Sequence, residues 1–292
     1  MRDRWGSQGR GYRRAPTAAT TAVEGCGRRR ATRRKKLRLV NAGAAVIEHT
    51  GDYLNAVAHG REESRHDARS HFVDDEYSAD LFNGYAVAAA ELKAQFDERG
   101  IVVDRDHPLF VYLPCGVGGA PGGITFSLKD LFGADVHCFF AEPVAAPSML
   151  VQLASGLTES IPISDLGLDG RTEADGLAVG RASMLVAPLM RSRVTGIHTV
   201  TDEQLLVLLR HAFDTAELEI EPSAAAGMAG PLILTRSPTG RRYLTEQGLA
   251  EKLATSCHVV WTTGGGLVPP AERQKHLARA RALRADFTFD DA

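Results

Sequence analysis

Residues 109–123 read Leu-Phe-Val-Tyr-Leu-Pro-Cys-Gly-Val-Gly-Gly-Ala-Pro-Gly-Gly. Leu109 to Leu113 are apolar without a break, the pattern of a strand buried on both faces. Gly116, Gly118, Gly119, Gly122 and Gly123 follow within eight positions, and a helical pattern runs from Ile124 to Phe132. A strand, a glycine-rich turn and a helix N-terminus together make an anion site. Glycine lets successive backbone N–H groups converge on one point, and the helix dipole adds partial positive charge there. The spacing is neither the P-loop Gly-x4-Gly-Lys-Ser/Thr nor Gly-x-Gly-x-x-Gly, so a nucleotide is not the default ligand. On local sequence alone, a glycine-rich loop that binds nothing fits as well.

Outward from this unit the chain alternates strands and helices. Upstream, Ala44 to Glu48 reads as a short strand and Gly51 to Arg65 as a helix. Residues 66–77 form a polar connection, and Leu81 to Phe96 is apolar at helical spacing, with Val87, Leu92 and Phe96 on or near one face. Downstream, Val136 to Phe140 is a buried strand ended by Glu142-Pro143. Ala174 to Met190 reads as a small-residue-rich helix and Asp202 to Ala216 as an amphipathic one. His258 to Thr262 is a third strand running into Gly264-Gly265-Gly266, and Pro270 to Leu283 is a charged surface helix. Strands alternating with helices predict an α/β fold, a mostly parallel sheet with helices on both faces.

At 292 residues and 44% apolar, the chain has room for one large or two medium domains with a sizeable core. No run approaches the ~20 apolar residues of a membrane span. Cys26, Cys115, Cys138 and Cys257 are far apart and form no Cys-x-x-Cys pair. They read as reduced thiols of a cytoplasmic protein rather than a zinc site or a disulfide frame. The net charge of −2 hides an asymmetry: residues 1–38 hold 13 Lys/Arg and two acids, Asp3 and Glu24, leaving 21 Lys/Arg and 34 acids for the rest. Residues 1–34 lack apolar periodicity, cannot offset their ordering entropy, and are expected to be disordered. Three readings compete for them: a basic nucleic-acid arm, an organelle transit peptide, or translated sequence unrelated to the fold. No aromatic residue interleaves the basic run Arg28 to Lys36, which counts against a nucleic-acid partner.

Three further segments carry chemical options. Thr262-Thr263 directly follows a strand, and in a parallel sheet ligands bind at the carboxyl ends of the strands. A hydroxyl there can hydrogen-bond a heterocyclic nitrogen, or simply cap a turn. Residues 174–180, Ala-Asp-Gly-Leu-Ala-Val-Gly, look like a helix start with small residues for close packing. Glu142, at a strand end, could bind a hard cation together with backbone carbonyls, or be a plain surface glutamate.

Taken in order, several motifs match one family: Pro108 to Gly123, Ala141-Glu142-Pro143, and Ala174 to Ser183, with Glu221-Pro-Ser-Ala224, Gly227 to Pro231 and Gly264 to Pro269. From roughly Lys35 to Arg281 the chain closely resembles the bacterial D-serine dehydratases (D-serine ammonia-lyases). These are pyridoxal-phosphate enzymes of the tryptophan-synthase-β-like fold, fold type II. The resemblance implies β-elimination of D-serine, with D-threonine as a further candidate substrate, to a keto acid and ammonia. It implies that Gly116, Val117, Gly118, Gly119 and Ala120 cradle the cofactor phosphate and that Thr263 hydrogen-bonds the pyridine nitrogen. Ala120 stands where the family usually has a third glycine, and its methyl would crowd the phosphate only at positive φ. Glu142 would ligate a monovalent cation (K+ or Na+). Another cation-binding branch has an acid six residues later, where this chain has Ser148. Asp175 would be structural.

The family's cofactor-binding lysine lies in a Ser-x-Lys-x-Arg-like turn far N-terminal to the phosphate loop. None of Lys35, Lys36, Lys93, Lys129, Lys252 and Lys275 has that context, and the asparagine loop that grips the substrate carboxylate is also absent. The resemblance therefore implies a fold truncated at the N-terminus, the C-terminal half of the enzyme. Residues 1–34 would not be family-like, 35–80 would be a remnant of the small domain, 81–284 the large domain, and 285–292 a flexible acidic tail. No catalytic residue is assigned, and the chain alone is expected to be inactive unless an N-terminal fragment is supplied in trans. The competing expectation is a catalytically dead remnant that binds phosphate or cofactor, or serves as a partner subunit. The abrupt start of the resemblance near Arg33 to Leu37 favours a frame change or mis-set start over a transit peptide.

Overall fold

The computed structural model describes residues 21–24, 37, 39–48, 53–73, 75–266 and 268–283, so Lys35, Lys36 and the acidic tail lie outside the described residues. The chain divides into two compact units, Met1–Asp74 and Asp75–Ala292. In the first, β1 (Thr21–Glu24) pairs in parallel with β2 (Ala45–Glu48), Thr21 opposite Ala45, and a helix follows at Tyr53–Arg65. β1 lies within residues 1–34; the rest of that segment is outside the described residues. Its β-branched Thr21 and Val23 suit a strand, and β2 supplies the backbone partners that the local sequence does not reveal.

The second unit is built on a four-stranded sheet, in the order β5 (Gly196–Val200), β4 (Val136–Pro143), β3 (Leu109–Pro114), β6 (Cys257–Val260), with every pair parallel. All six residues of β3 are buried, as the unbroken apolar run requires. Its side chains alternate between two cores. Leu109, Val111 and Leu113 face helices Ala79–Arg99 and Gly119–Phe132, meeting Phe82, Leu92, Phe96, Ile124 and Leu128. Phe110 and Tyr112 face the other way, onto Leu234, Leu244 and Leu249. Helix Asp202–Ala216 covers the β5 side of that second face with Leu205, Leu208 and Leu209, and its Thr201–Gln204 capping box fixes its start where the sequence places it. The fold is therefore α/β with helices on both faces of a parallel sheet.

Three elements depart from the sequence reading. Helix Gly119–Phe132 begins five residues before Ile124. Gly122 and Gly123 are helical and serve packing: a Cβ on Gly123 would lie 2.4 Å from the Phe82 carbonyl oxygen, and one on Gly122 2.3 Å from Val186 Cγ1. Residues 174–190 are not one helix. They form a single 3-10 turn, Asp175–Leu177, then loop, and a short helix at Val186–Met190. Several of their backbone groups bond outside the segment, with Gly176 N–H donating to Ser223 Oγ and Ser183 N–H to the Val117 carbonyl. β4 runs on through Pro143 because β5 pairs along it from Phe139 to Pro143. Among the described residues, no helix is long and apolar enough to cross a membrane.

Candidate functional site

β3 ends at Pro114, and Cys115 N–H still donates to the Ala141 carbonyl at 2.9 Å, so the loop leaves directly from a paired sheet. Gly118 has φ +110°, a left-handed conformation that favours glycine, and a Cβ there would lie 2.3 Å from the flexible end of Met149. Helix Gly119–Phe132 begins at once. The N–H groups of Gly118, Gly119 and Ala120 donate to no group among the described residues. They are the orphan donors of a helix N-terminus, gathered by a glycine turn at the positive end of the helix dipole. Ala120 sits in the helix at negative φ, so its methyl does not require strain at the nest.

β6 lies beside β3 in parallel, so the loop after β6 emerges at the same end of the sheet. Gly265, at φ +152°, lets that loop press onto residues 219–221, where Glu221 N–H donates to the Gly264 carbonyl at 3.1 Å. In consequence Gly116, Val117, Gly118, Gly119, Ala120 and Thr263 all line one cavity of about 310 Å³. That volume is within the roughly 300–1,000 Å³ of small-molecule sites. Asp75, Ser78, Ser183 and Glu221 also line it. The Glu221-Pro-Ser motif is visible in the sequence but carries no role there; residues 75–78 look like plain connection.

Glu142 is not among the residues that line this cavity. It is fully buried and accepts from Met149 N–H at 2.8 Å and Leu150 N–H at 2.9 Å, at the start of helix Ser148–Ser155. Each carboxylate oxygen thus faces a backbone N–H, the geometry of a helix cap. Burial pushes its pKa up to about 8, partly opposed by those two N–H groups and the Ser148 hydroxyl. Burial also raises the Cys115 thiol well above its ordinary range, aided by the charge of Glu142, so the loop cysteine is no thiolate nucleophile. Among the described residues, no group of three or more His, Cys, Asp or Glu could hold a metal ion.

Residues 22–243 match the family model described as pyridoxal-phosphate dependent enzyme. The chain belongs to that family. Among curated sequences, it is 57% identical over 249 residues to a "Probable D-serine dehydratase" of Burkholderia lata, covering 85% of this chain and 55% of the relative. It is 52% identical over 250 residues to one of Halalkalibacterium halodurans, covering 86% of this chain and 56% of the relative. The chain thus spans about half the length of the curated relatives it matches. In fold it resembles maize serine racemase (TM-score 0.64, 18% identity, 87% of this chain and 69% of that one). It also resembles a T.th. threonine deaminase (TM-score 0.62, 24% identity, 82% and 68%). The fold is that of the fold type II enzymes of this family.

Pyridoxal phosphate is the family's cofactor, and the nest has the donors its phosphate needs: three uncommitted N–H groups at a helix start, in a turn that a Cβ on Gly118 would fill. No lysine among the described residues lines the cavity. Lys93 pairs with Asp97 along an exposed helix face, and Lys275 is exposed on helix Pro270–Ala282. Lys129 donates to the carbonyl of Val136, at the opposite end of β4, and Lys252 to that of Arg105.

Proposed function

We propose that this chain is the phosphate-binding part of a D-serine ammonia-lyase, acting on D-serine and related small D-hydroxyamino acids, and that it does not complete the reaction alone. The observation that carries this reading is the single cavity that joins residues 116–120 to Thr263, in a chain more than half identical to relatives named D-serine dehydratase. Bound pyridoxal phosphate supplies a carbonyl that takes up the substrate amine and a ring that stabilises charge at Cα. The chain's own residues do the rest. The N–H groups of Gly118, Gly119 and Ala120 hold the phosphate dianion. Thr263, on the loop after β6, would offer a hydroxyl to the ring nitrogen without giving it a full proton. Phe82, Leu177 and Val186 give the cavity an apolar wall.

What the described cavity lacks is equally specific. Among the described residues it is lined by the acids Asp75 and Glu221 and by no Lys or Arg. Among the described residues, the lining supplies neither a covalent anchor for the cofactor nor a cation for the substrate carboxylate. We therefore expect no pyruvate from D-serine with the chain and added pyridoxal phosphate, beyond the rate of free cofactor. Restored pyruvate formation on adding the N-terminal half of an intact relative would support the reading. Turnover by the chain alone would overturn its second clause.

A further inference from the structure

We infer that Arg181 and Ser183 are positioning residues that set the shape of the anion nest by tying residues 75–78 to the glycine loop. The inference rests on the reading of the nest as a phosphate site. Residues 75–78 wall one side of the cavity through Asp75 and Ser78. Between them Glu76 is only 4% exposed, a costly place for a carboxylate without partners. Arg181 Nε and Nη2 donate to its two carboxylate oxygens at 3.0 and 3.3 Å, the forked geometry of a guanidinium facing a carboxylate. The Ser183 hydroxyl donates to the Glu76 carbonyl.

Ser183 also faces the loop. Its backbone N–H donates to the Val117 carbonyl at 2.8 Å. The Val117 carbonyl and the Gly118 N–H belong to one planar trans peptide, so fixing the oxygen aims the N–H the opposite way. The same Ser183 Oγ accepts from Leu185 and Val186 N–H, both at 3.2 Å, starting the turn that sets the Val186 side chain against Gly118 and Gly122. One serine therefore spans the wall and the loop, and the arginine holds the wall in register with it. Arg181 is not a lining residue and acts through Glu76.

The test measures binding of inorganic phosphate and of pyridoxal phosphate to the full 292-residue chain by calorimetry. The variants are Ser183→Ala, Ser183→Thr, Arg181→Lys and Gly119→Asp, each with its thermal midpoint. Ser183→Ala and Arg181→Lys should each weaken phosphate binding about tenfold, the scale of one hydrogen bond to a charged group. Ser183→Thr keeps the hydroxyl and should restore wild-type affinity. If Ser183→Ala does not fold, the charge-retaining Arg181→Lys probes the same wall segment through the Glu76 carboxylate. Wild-type affinity in Ser183→Ala, with binding lost in Gly119→Asp, overturns the positioning role and leaves the phosphate site standing. Equal losses in Ser183→Ala and Ser183→Thr, in step with their midpoints, also overturn it, because the contact would then be packing alone. A wild-type chain that binds no phosphate removes both readings together.

Discussion

Two segments meet at the cavity and are built in opposite ways. In residues 118–132 the backbone is answered within the segment: Gly118 caps the helix, its carbonyl accepts from Gly122 N–H at 2.8 Å, and the first N–H groups are left over for a ligand. In residues 174–190 local turns answer part of the backbone, and the rest is answered from far along the chain. Ser223 Oγ accepts from Gly176 N–H at 2.9 Å, the Val117 carbonyl from Ser183 N–H at 2.8 Å, and the Gly180 carbonyl from Ile163 N–H at 2.9 Å. The first segment carries its own geometry and offers donors. The second takes its shape from its surroundings and, in return, holds the first in place. A ligand site made of backbone needs both kinds, because N–H groups cannot be aimed by a rotamer.

The comparison breaks most easily at Leu128, on the first segment's helix and fully buried in the core. Leu128→Ala should cost about 2–5 kcal/mol in chemical denaturation; a loss below ~1 kcal/mol would mean that this helix is not anchored by its core face. Gly123→Ala is the sharper probe. Alanine is the better helix former by about 1 kcal/mol, yet its methyl would meet the Phe82 backbone. Net destabilisation of about 1–3 kcal/mol is expected from overpacking, and a gain in stability would show that the two helices have slack between them.

Two smaller effects probe the long-range contacts. His198, on β5, has its ring buried against the Ala226 backbone, and His137 is buried on β4; burial lowers each pKa to about 4. The folded state therefore takes up fewer protons than the unfolded chain below the ordinary histidine value of 6.5. Stability from these groups is intact above that pH and is lost as pH falls toward 4, with a limiting slope of about 1.4 kcal/mol per pH unit for each. Urea midpoints at pH 7 and pH 5 should show the drop, and His198→Asn should reduce it. An unchanged drop would place the acid sensitivity elsewhere. Ser223→Ala removes the acceptor of Gly176 N–H and should cost about 1 kcal/mol. Urea unfolding of that variant at wild-type stability would mean that the 3-10 turn holds without its distant partner.

These two kinds of segment also explain what the sequence could reveal. β3 is legible in Leu109 to Leu113 because burial on both faces leaves an unbroken apolar run. Helix Asp202–Ala216 is legible because its cap and its apolar stripe are local. The helix start at Gly119 is not, because glycines that make room for the Phe82 backbone look the same as glycines that turn a loop. Residues 174–190 mislead for the matching reason: small residues suit a helix, but their partners lie at Ser223, Val117 and Ile163. β5, Gly-Ile-His-Thr-Val, is too short and mixed to stand out. The candidate site shows the same split. The residues 116–120 and Thr263 announce themselves by following strands, whereas Glu76, Arg181 and Ser183 matter only through contacts about a hundred residues apart in sequence. Glu142 reads as a cation ligand from its strand end; the helix that it caps begins after Pro147 and carries no capping side chain of its own to give the arrangement away.

The central claim is that residues 116–120 hold a phosphate with backbone donors alone, and Gly119→Asp tests it most directly. Gly118→Asp would strain a φ of +110° and strike Met149, whereas Gly119 is helical, with nothing nearer to a new Cβ than the Asp75 carbonyl oxygen at 3.8 Å. An aspartate in the first turn suits the helix dipole, so folding should be unharmed or slightly improved. It also brings a negative charge to the edge of the nest. Equilibrium binding of inorganic phosphate and pyridoxal phosphate should be measurable for the wild-type chain and abolished in Gly119→Asp at an unchanged thermal midpoint. Equal affinity in the two proteins would contradict the account and remove the loop from the site.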